Sequence, residues 1–416
     1  MSNIYFHNVE LALYVALAVS AIALLLVYIF RLRRFKLVKK HASWQIETQE
    51  IEAATHEAIS HDAEGNYPYI SVVIPCNEQN ADIQLLIANL LKQNYKGKFE
   101  IIVADESHST DLKALVDNLN NKHPNVRYTF VPESSRYIEL RKLAITLGIK
   151  ASRGEWVIVI NPETQPASND WLQCYVQNLG DDVDFAEAYY NYDDDGTLLA
   201  RRAIFERIDD FSLRIYAWEN GVVIGCPQAN WAVRKNWFIK ENGFADSLNI
   251  AFGEEAIFAN YKVRSDNYVM LCSPATRLIE EMPSSAQLSS QRMQKAEINR
   301  HLSGAAKLQL LTSGLSTFMS YMYALCLLFY TFMRVWHDVQ ATDYTSNYLY
   351  ADIVALLLWC VGLYIPLYIV REALRTLDER KYGLYIYIYE MLRPFHAMST
   401  ACKRRIHHSE FTRKYI

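Results

Sequence analysis

Apolar residues are concentrated in three long segments of this chain. The segments are residues 9–30, in which Glu10 is the single charge, residues 311–333 and residues 348–370. Each is long enough for a helix that crosses a hydrocarbon core of roughly 30 Å, which takes about 20 apolar residues. The pattern therefore predicts one membrane helix before a central region and two after it. A cleaved signal peptide is the alternative for the first segment, although its apolar run is long and no small-residue cleavage site follows.

Basic residues flank the first segment on one side and recur in the tail of the chain. The set after the first segment is Arg31, Arg33, Arg34, Lys36, Lys39 and Lys40. Because Lys and Arg accumulate on the cytoplasmic side of membrane helices, we expect the N-terminus to face outward and the central region to lie in the cytosol. The two later spans, joined by an outer loop at residues 334–347, return the chain to the same side. This predicts a multi-pass protein of the inner (cytoplasmic) membrane.

The central region alternates short apolar runs with segments of helical periodicity. Strands are predicted at residues 70–75, 100–104, 126–131 and 156–160, and helices at residues 83–91 and 141–151. Uninterrupted apolar runs bounded by turn residues are typical of strands buried on both faces. Strands and helices that alternate at this spacing favour an α/β fold with a mostly parallel, doubly wound sheet.

Composition narrows the class of protein. The chain has 416 residues and a formal net charge of −4, which argues against a nucleic-acid-binding protein. Its seven cysteines are scattered without a C-x-x-C pair, so neither a zinc site nor a disulfide framework is indicated. This cysteine pattern fits a domain that faces a reducing compartment.

Polar side chains follow three of the predicted strands at the point where each strand ends. They are Cys76-Asn77-Glu78, Asp105-Glu106-Ser107 and Asn161-Pro162-Glu163. At any one strand end, capping of the following helix is the alternative explanation for an acidic residue. Because ligands of parallel sheets bind at the carboxyl ends of the strands, three such ends together favour a ligand site.

Four motifs at these positions carry a family resemblance. They are I-S-V-V-I-P-C-N-E from residue 70, E-I-I-V-A-D-E-S-H-S-T-D from residue 100, R-K-L-A-I-T-L-G-I-K-A-S-R-G-E-W from residue 141 and N-P-E from residue 161. Over residues 70–303 the chain resembles the family 2 glycosyltransferases, whose nucleotide-sugar-binding domain has the GT-A fold. The resemblance implies a Rossmann-like GT-A domain inserted between the membrane helices. It also implies an inverting transfer from a UDP- or GDP-linked sugar.

The resemblance assigns a donor site to the carboxyl edge of the sheet. The nucleotide-sugar-binding residues that it implies are Pro75, Asn77, Glu78, Asp105, Glu106, Lys142 and Asn161. The segment Asn161-Pro162-Glu163 takes the place of the family's Asp-x-Asp motif. Glu163 is therefore the implied ligand of Mg²⁺ or Mn²⁺, which are hard ions that prefer oxygen ligands. Because Asn161 lacks the charge of an aspartate, the metal site is expected to be weakened.

A second set of residues is implied on the acceptor side. Glu254 and Glu255 stand in the family's G-E-D motif, which makes Glu255 the implied catalytic base for the acceptor hydroxyl. A helix N-terminus enriched in acids is the alternative explanation for this pair. Acceptor contacts are implied for Asn230 and Trp231, within G-C-P-Q-A-N-W-A-V-R-K, and for His301.

One arginine is implied to neutralise the leaving diphosphate. Arg300 lies in the register of the Q-x-x-R-W motif that processive and lipid-acceptor members carry, with Glu and His in place of Gln and Trp. The planar guanidinium fork suits phosphate oxygens. Gln291-Arg292 is a competing registration of the same motif, and contact with lipid headgroups is the alternative role of Arg300.

The predicted domain organisation follows from these assignments. It comprises a membrane anchor with a basic flank (1–40), a helical linker (41–68), the GT-A domain (69–283), an interfacial amphipathic helix (284–308), two membrane helices (309–371) and a basic, Tyr-rich cytoplasmic tail (372–416). The implied partners are a nucleotide sugar, the bilayer, and an acceptor that is a lipid-linked oligosaccharide, a glycolipid or a polysaccharide, with no nucleic acid. Two alternatives stay open: a noncatalytic nucleotide-binding or scaffold protein of an envelope polysaccharide assembly, and a polyprenyl-phosphate glycosyltransferase.

Overall fold

The structure is a computed structural model that describes residues 2–55, 67–77, 83–132, 139–248, 250, 252–340, 349–379, 385–389, 391–393, 395–396, 398–400 and 402. The predicted donor-site residue Glu78 lies outside these residues, as do parts of the predicted linker and tail. The described residues form a central α/β domain together with three long apolar helices.

The central domain is built on two sheets. Its strands are β1 (Ile70–Cys76), β2 (Phe99–Asp105), β3 (Val126–Phe130), β4 (Trp156–Val159), β5 (Thr164–Pro166), β6 (Phe185–Ala188), β7 (Tyr190–Tyr192), β8 (Trp231–Arg234), β9 (Tyr268–Leu271) and β10 (Leu278–Glu280). The large sheet has the order β3-β2-β1-β4-β8-β6-β9, and the small one the order β5-β10-β7. In the large sheet, β8 is antiparallel to both of its neighbours and every other pair is parallel. The predicted mostly parallel α/β fold is confirmed.

Helices cover both faces of the large sheet and extend beyond it. They are α1 (Ser2–Val27), α2 (Arg33–Thr55), α3 (Ile83–Leu91), α4 (Thr110–Lys122), α5 (Leu140–Ala151), α6 (Trp171–Val176), α7 (Leu198–Glu219), α8 (Lys235–Lys240), α9 (Glu254–Lys262), α10 (Ser285–His301), α11 (Gly304–Gln340) and α12 (Leu349–Thr376). The helices predicted at residues 83–91 and 141–151 are α3 and α5. A capping box at Ser284 and Gln287 sets the start of α10.

The core lies in two layers, one on each side of the large sheet. Because successive side chains of a strand point to opposite faces, β1 contributes to both layers. Val73 packs in the layer that contains Ile145 of α5, and Val72 packs in the layer that contains Leu86 of α3. Every residue of β1 is buried, as the uninterrupted apolar run predicts. The two layers fix the strands, so that their carboxyl ends are held at one edge.

Three helical stretches are long and apolar enough to cross a membrane. They are Leu11–Glu47, Gly304–Trp336 and Leu349–Thr376, which contain most of the predicted spans. Leu13 of α1 packs with Leu327 and Tyr330 of α11 in a separate apolar cluster. Other large apolar side chains of these helices are exposed, as expected for a surface that faces lipid. The predicted arrangement of one helix of membrane-spanning length before the domain and two after it is confirmed.

A buried carboxylate joins the membrane-proximal segments to the central domain. Asp209 of α7 lies 3.9 Å from Arg31, 3.6 Å from Arg34 and 3.0 Å from Arg393, each measured between a guanidinium nitrogen and a carboxylate oxygen. Burial opposes ionisation, but the charges of Arg393, Arg34 and Arg31 outweigh it and lower the pKa of Asp209. Asp209 therefore carries a negative charge that fastens residues before and after the membrane helices to one point of α7.

Candidate active site

The carboxyl ends of β1, β2 and β4 meet at one edge of the large sheet. Cys76, the last residue of β1, pairs with Asp105, the last residue of β2. Burial raises the pKa of the Cys76 thiol, and the negative charges of Glu106, Glu163 and Asp105 raise it further. Carboxylates that follow two different strands, β2 and β4, therefore lie close enough to act on the same thiol at the end of β1.

Asp105 is buried, and its carboxylate holds the turn that follows β2. It accepts hydrogen bonds from the Ser107 and Ser109 amides, both at 2.8 Å, and from the Tyr128 hydroxyl at 2.7 Å. Next to it, burial raises the pKa of Glu106 to about 7, although the charge of Arg141 opposes the rise. The nucleotide contacts of both residues stay predictions.

The other donor-site residues that follow β1 and β4 are placed as follows. Pro75 is buried within β1, where it pairs with Ala104 of β2, whereas Asn77 is exposed just beyond the strand. Asn161 and Glu163 follow β4, and the Asn161 backbone carbonyl accepts from the Thr164 amide at 3.1 Å. The turn after β4 thus carries both residues to the edge of the sheet.

Arg141, which the sequence pattern did not single out, is the centre of this site. From the first turn of α5, its Nη2 atom donates to Asn161 Oδ1 at 3.0 Å and to Glu255 Oε1 at 3.1 Å. Its Nε atom lies 3.2 Å from Glu254 Oε1. One guanidinium therefore joins the end of β4 to the start of α9. The sequence signal that indicates Arg141 is its place at the start of the R-K-L-A-I-T-L-G-I-K motif, next to the predicted Lys142.

Lys142 lies away from this cluster of carboxylates. Its ammonium group donates to the Ser247 carbonyl at 2.7 Å and to the Ile250 carbonyl. Burial lowers the pKa of Lys142. The structure thus places Arg141, and not Lys142, as the cation in direct contact with the carboxylates of the site.

Glu254 and Glu255 open α9, and only 2% and 1% of their surfaces are exposed. Burial raises the pKa of Glu255 to about 8 with the help of the neighbouring Glu254 charge, while Arg141 opposes the rise. Within the described residues, the Oε2 atom of Glu255 has no hydrogen-bond partner. A carboxylate with these properties can take up a proton near neutral pH, which is the requirement for a general base.

Gly253 fixes the position of this carboxylate pair. Its φ of 73° lies in the left-handed region, and a Cβ atom there would meet Ile298 Cδ1 of α10 at 2.5 Å. We expect Gly253→Ala to lower the free energy of unfolding by at least about 1–2 kcal/mol, because a residue with a Cβ is disfavoured in this conformation. Thermal unfolding of the detergent-solubilised protein measures the effect.

The matched control for this substitution is Gly180→Ala. Gly180 has no atom within 4 Å of the position of an added Cβ and no positive φ. Adding Ile298→Ala to Gly253→Ala should remove the contact with the new Cβ atom and restore part of the free energy of unfolding. The part that is lost because of the positive φ should remain lost. Equal unfolding temperatures for Gly253→Ala and Gly180→Ala would contradict the assigned role of Gly253.

A cavity of about 220 Å³ lies beside Glu255, between α7 and α10. We call it the α7–α10 cavity. The polar and charged residues that line it include Glu206, Arg207, Asp210, Arg214, Gln228, Glu255, Gln291, Arg292, Gln294, Lys295 and Asn299. Of the carboxylate pair, Glu255 lines the cavity, whereas Glu254 contacts Arg141 behind it. Glu255 is thus the member of the pair that a ligand in this cavity would meet.

The predicted cation Arg300 is not brought to this cavity. Its side chain is 57% exposed and pairs with Glu297 of the same helix at 3.3 Å. The competing registration places Arg292 on the face of α10 that lines the cavity with Glu255. His301 lines a different cavity of about 410 Å³, together with Asp246 and Lys262.

Asn230 and Trp231 are buried at the start of β8. The Asn230 amide donates to the backbone carbonyls of Tyr189 and Thr276, at 2.8 and 3.0 Å. The Trp231 ring stacks on Phe185 with an interplanar angle of 14°. In this structure both side chains contribute to the interior of the domain, and their acceptor contacts stay predictions.

A family comparison covers the part of the chain that contains the strand-end motifs of the site. Residues 71–241 match the family model described as "Glycosyl transferase family 2". No match was found among curated proteins. Among solved structures, the chain is similar to "Mannosyltransferase PcManGT from Pyrobaculum calidifontis in complex with GDP-Man and Mn2+", with 16% identity, a TM-score of 0.48 and coverage of 87% of this chain and 100% of that chain.

A second solved structure is more distant. It is TarS from S. aureus, with 13% identity, a TM-score of 0.38 and coverage of 74% of this chain and 50% of that chain. Both likenesses are remote, and the ligands named with the first structure belong to that protein. The matched family region ends at residue 241, so Glu254, Glu255 and α10 lie beyond it.

Proposed function

We propose that this protein, a glycosyltransferase whose residues 71–241 match the family 2 model, moves a sugar with inversion from a nucleotide sugar to a membrane-associated acceptor. The observation that carries the proposal is the buried Glu255 carboxylate, which lies at the edge of a cavity and contacts Arg141. The three membrane-length helices support an acceptor held at the bilayer. The basic residues after the first span support a catalytic domain on the cytoplasmic face of the inner membrane.

The proposed transfer is a single displacement. The acceptor hydroxyl gives its proton to Glu255 while its oxygen forms a bond to the anomeric carbon of the donor sugar. At the same time, the bond from that carbon to the diphosphate oxygen breaks, and its electron pair leaves with the nucleoside diphosphate. Arg141 supplies a fixed positive charge at this edge, where the departing negative charge develops.

The donor side of the site offers a divalent metal ion few protein ligands. The described residues contain no group of three or more His, Cys, Asp or Glu placed to hold a metal ion. A Mg²⁺ ion that binds together with substrate phosphates needs only one or two protein carboxylates, and Glu163 supplies one. Asn161 Oδ1 already accepts from Arg141. A bound Mg²⁺ or Mn²⁺ would neutralise charge on the diphosphate.

Glu163→Gln tests this assignment. We expect the variant to need at least tenfold more Mg²⁺ or Mn²⁺ for half-maximal turnover, because it removes the carboxylate ligand and retains the size of the side chain. Asp117→Asn, an exposed change of the same charge on α4, is the matched control. Equal metal titrations for wild type and Glu163→Gln would contradict the assignment.

The function itself is tested with the full-length protein in nanodiscs. A panel of UDP- and GDP-linked sugars is supplied with Mg²⁺ or Mn²⁺, and the release of nucleoside diphosphate is measured with and without extracted membrane lipids. We expect release with at least one donor and an increase in the presence of the lipids. Tight nucleotide binding without any turnover would favour the noncatalytic scaffold instead.

The pH dependence of turnover follows from the environment of Glu255. The proton-accepting form is the carboxylate, and its pKa is raised to about 8, so activity should rise as pH rises through about 8. Replacing Arg141 by Gln removes the charge that favours the carboxylate, and the rise should move to higher pH. The measurement is kcat/KM between about pH 6 and 10. A flat profile over this range would contradict the role of Glu255.

A further inference from the structure

The cations of the α7–α10 cavity are all paired with carboxylates of the protein. The pairs are Arg207–Glu280 at 2.8 Å, Arg214–Glu187 at 2.9 Å, Arg292–Glu206 at 2.8 Å and Lys295–Asp210 at 2.5 Å. A phosphate that binds these cations would lie against the paired carboxylates, whose negative charges repel it. A hydroxyl group can accept from the cation and donate to the carboxylate of the same pair. The charge arrangement therefore favours a ligand rich in hydroxyl groups over an anionic one.

Three buried polar atoms of the residues that line this cavity have no hydrogen-bond partner among the described residues. They are the donors Arg207 Nη1 and Arg292 Nη2 and the acceptor Glu255 Oε2, and of these Arg207 Nη1 lies in the ion pair with Glu280. Buried polar atoms in proteins nearly always have a hydrogen-bond partner. A ligand with several hydroxyl groups supplies an acceptor to Arg292 Nη2 and a donor to Glu255 Oε2. A hydroxyl on Glu255 Oε2 would also be the one that loses its proton in the proposed transfer.

The wall of the cavity on the side of β7 is held by contacts among its side chains. The Arg207 guanidinium lies over the rings of Tyr190 and Tyr192, at 4.2 and 3.5 Å from the ring centroids. The Tyr192 hydroxyl donates to Gln291 Oε1 of α10 at 2.8 Å. These contacts hold aromatic and amide groups in place, which suits recognition of a ligand of defined stereochemistry.

The same cavity reaches an apolar boundary with the membrane helices. Leu302 and Leu310 line it, and they belong to an apolar cluster with Leu213 and Ile224. Leu310 lies in α11, within the second membrane-length stretch. The volume of about 220 Å³ is below that of common small-molecule pockets, about 300–1,000 Å³, so one sugar residue is the appropriate size of ligand.

We propose that the α7–α10 cavity is the acceptor subsite and that it binds the terminal sugar residue of a membrane-anchored glycolipid or lipid-linked saccharide. The sugar lies between Glu255 and Arg292, and the lipid part leaves over Leu302 and Leu310 toward the bilayer. A lipid phosphate is not the group bound in the cavity. This inference rests on the proposed function only for the statement that the bound sugar is the acceptor of the transferred sugar. The binding of that sugar in the cavity does not depend on turnover.

The test is equilibrium binding to the full-length protein in nanodiscs, measured by titration calorimetry. The probes are octyl glucoside, octyl galactoside and octyl mannoside below their micelle-forming concentrations, the corresponding free hexoses, and octyl phosphate. We expect at least one octyl hexoside to bind more tightly than its free hexose and than octyl phosphate. Binding of octyl phosphate in preference to every hexoside would overturn the proposal, as would the absence of hexoside binding.

Variants of Arg292 show whether the probe occupies this cavity. Arg292→Gln should weaken binding of the preferred octyl hexoside at least tenfold, and Arg292→Lys, which retains the charge beside Glu206, should weaken it in the same direction. Lys307→Gln removes an exposed charge from α11 and should leave binding unchanged. Unchanged binding in both Arg292 variants would overturn the proposal. Release of nucleoside diphosphate is measured on the same samples, and its absence in the wild type would contradict the proposed function without altering the binding result.

Discussion

Glu255→Gln should lower the rate of glycosyl transfer by about 10²–10⁴-fold, the range for loss of a general base. The amide has nearly the same shape as the carboxylate but cannot accept the acceptor proton. Because glutamine has nearly the same shape, it should occupy the same place beside the α7–α10 cavity and Arg141. The variant therefore loses the ability to accept a proton without a change in packing. The measurement is the initial rate of transfer at saturating donor, with the dissociation constant of the nucleoside diphosphate measured separately.

Glu254→Gln is the informative comparison for this prediction. It makes the same change in charge on the adjacent residue, and Glu254 also contacts Arg141. We expect a smaller loss of rate, because Glu254 is not the member of the pair that lines the cavity. A loss for Glu254→Gln equal to or larger than that for Glu255→Gln would assign the base to Glu254. If Glu255→Gln retained most of the activity, an acceptor that needs no base, such as a polyprenyl phosphate, would be favoured.

Asp209→Asn should destabilise the protein by about 3–5 kcal/mol, the cost of removing one partner from a buried ion pair. The substitution leaves Arg31, Arg34 and Arg393 beside a neutral amide, and the side chains of Arg34 and Asp209 are almost entirely buried. The asparagine can still accept a hydrogen bond, but it no longer supplies the negative charge that faces these guanidinium groups. Thermal unfolding in detergent and the yield of folded protein measure the effect.

Asp182→Asn is the control for the stability experiment, because Asp182 is exposed and the same charge is removed. The control should unfold within about 0.5 kcal/mol of the wild type, as surface substitutions usually do. An Asp209→Asn protein as stable as this control would show that the carboxylate is not needed to hold the three arginines. Substituting Arg393 alone should have a smaller effect, since Arg31 and Arg34 would still pair with Asp209.

Much of the fold could be predicted because its signals are local. The strands at residues 70–75, 100–104 and 126–131 appear as β1, β2 and β3, each within a residue of its predicted ends. Length and apolarity alone identified the three membrane-length helices. The small sheet of β5, β10 and β7 was not predicted, because its strands are only three residues long and are distant in sequence.

The site was less accessible to sequence reasoning, because its contacts join distant segments. Strand ends identified the edge that holds Asp105 and Glu163. The contact of Arg141 with Glu255 depends on how α5 and α9 pack against the sheet, and no spacing within either motif contains that information. In α10, the sequence allowed two registrations of the arginine motif. Only the packing of α10 against α7 shows that Arg292 faces the cavity and Arg300 faces solvent.

The attachment at Asp209 also makes the chain behave as a closed loop. Arg31 follows the first membrane helix, and Arg393 follows the last, yet both reach the same carboxylate in the middle of the sequence. The loop is closed by noncovalent contacts, so that one carboxylate of α7 holds a segment from each side of the membrane helices. Truncation before Arg393 should therefore open the loop on its C-terminal side, whereas Arg31 and Arg34 still pair with Asp209.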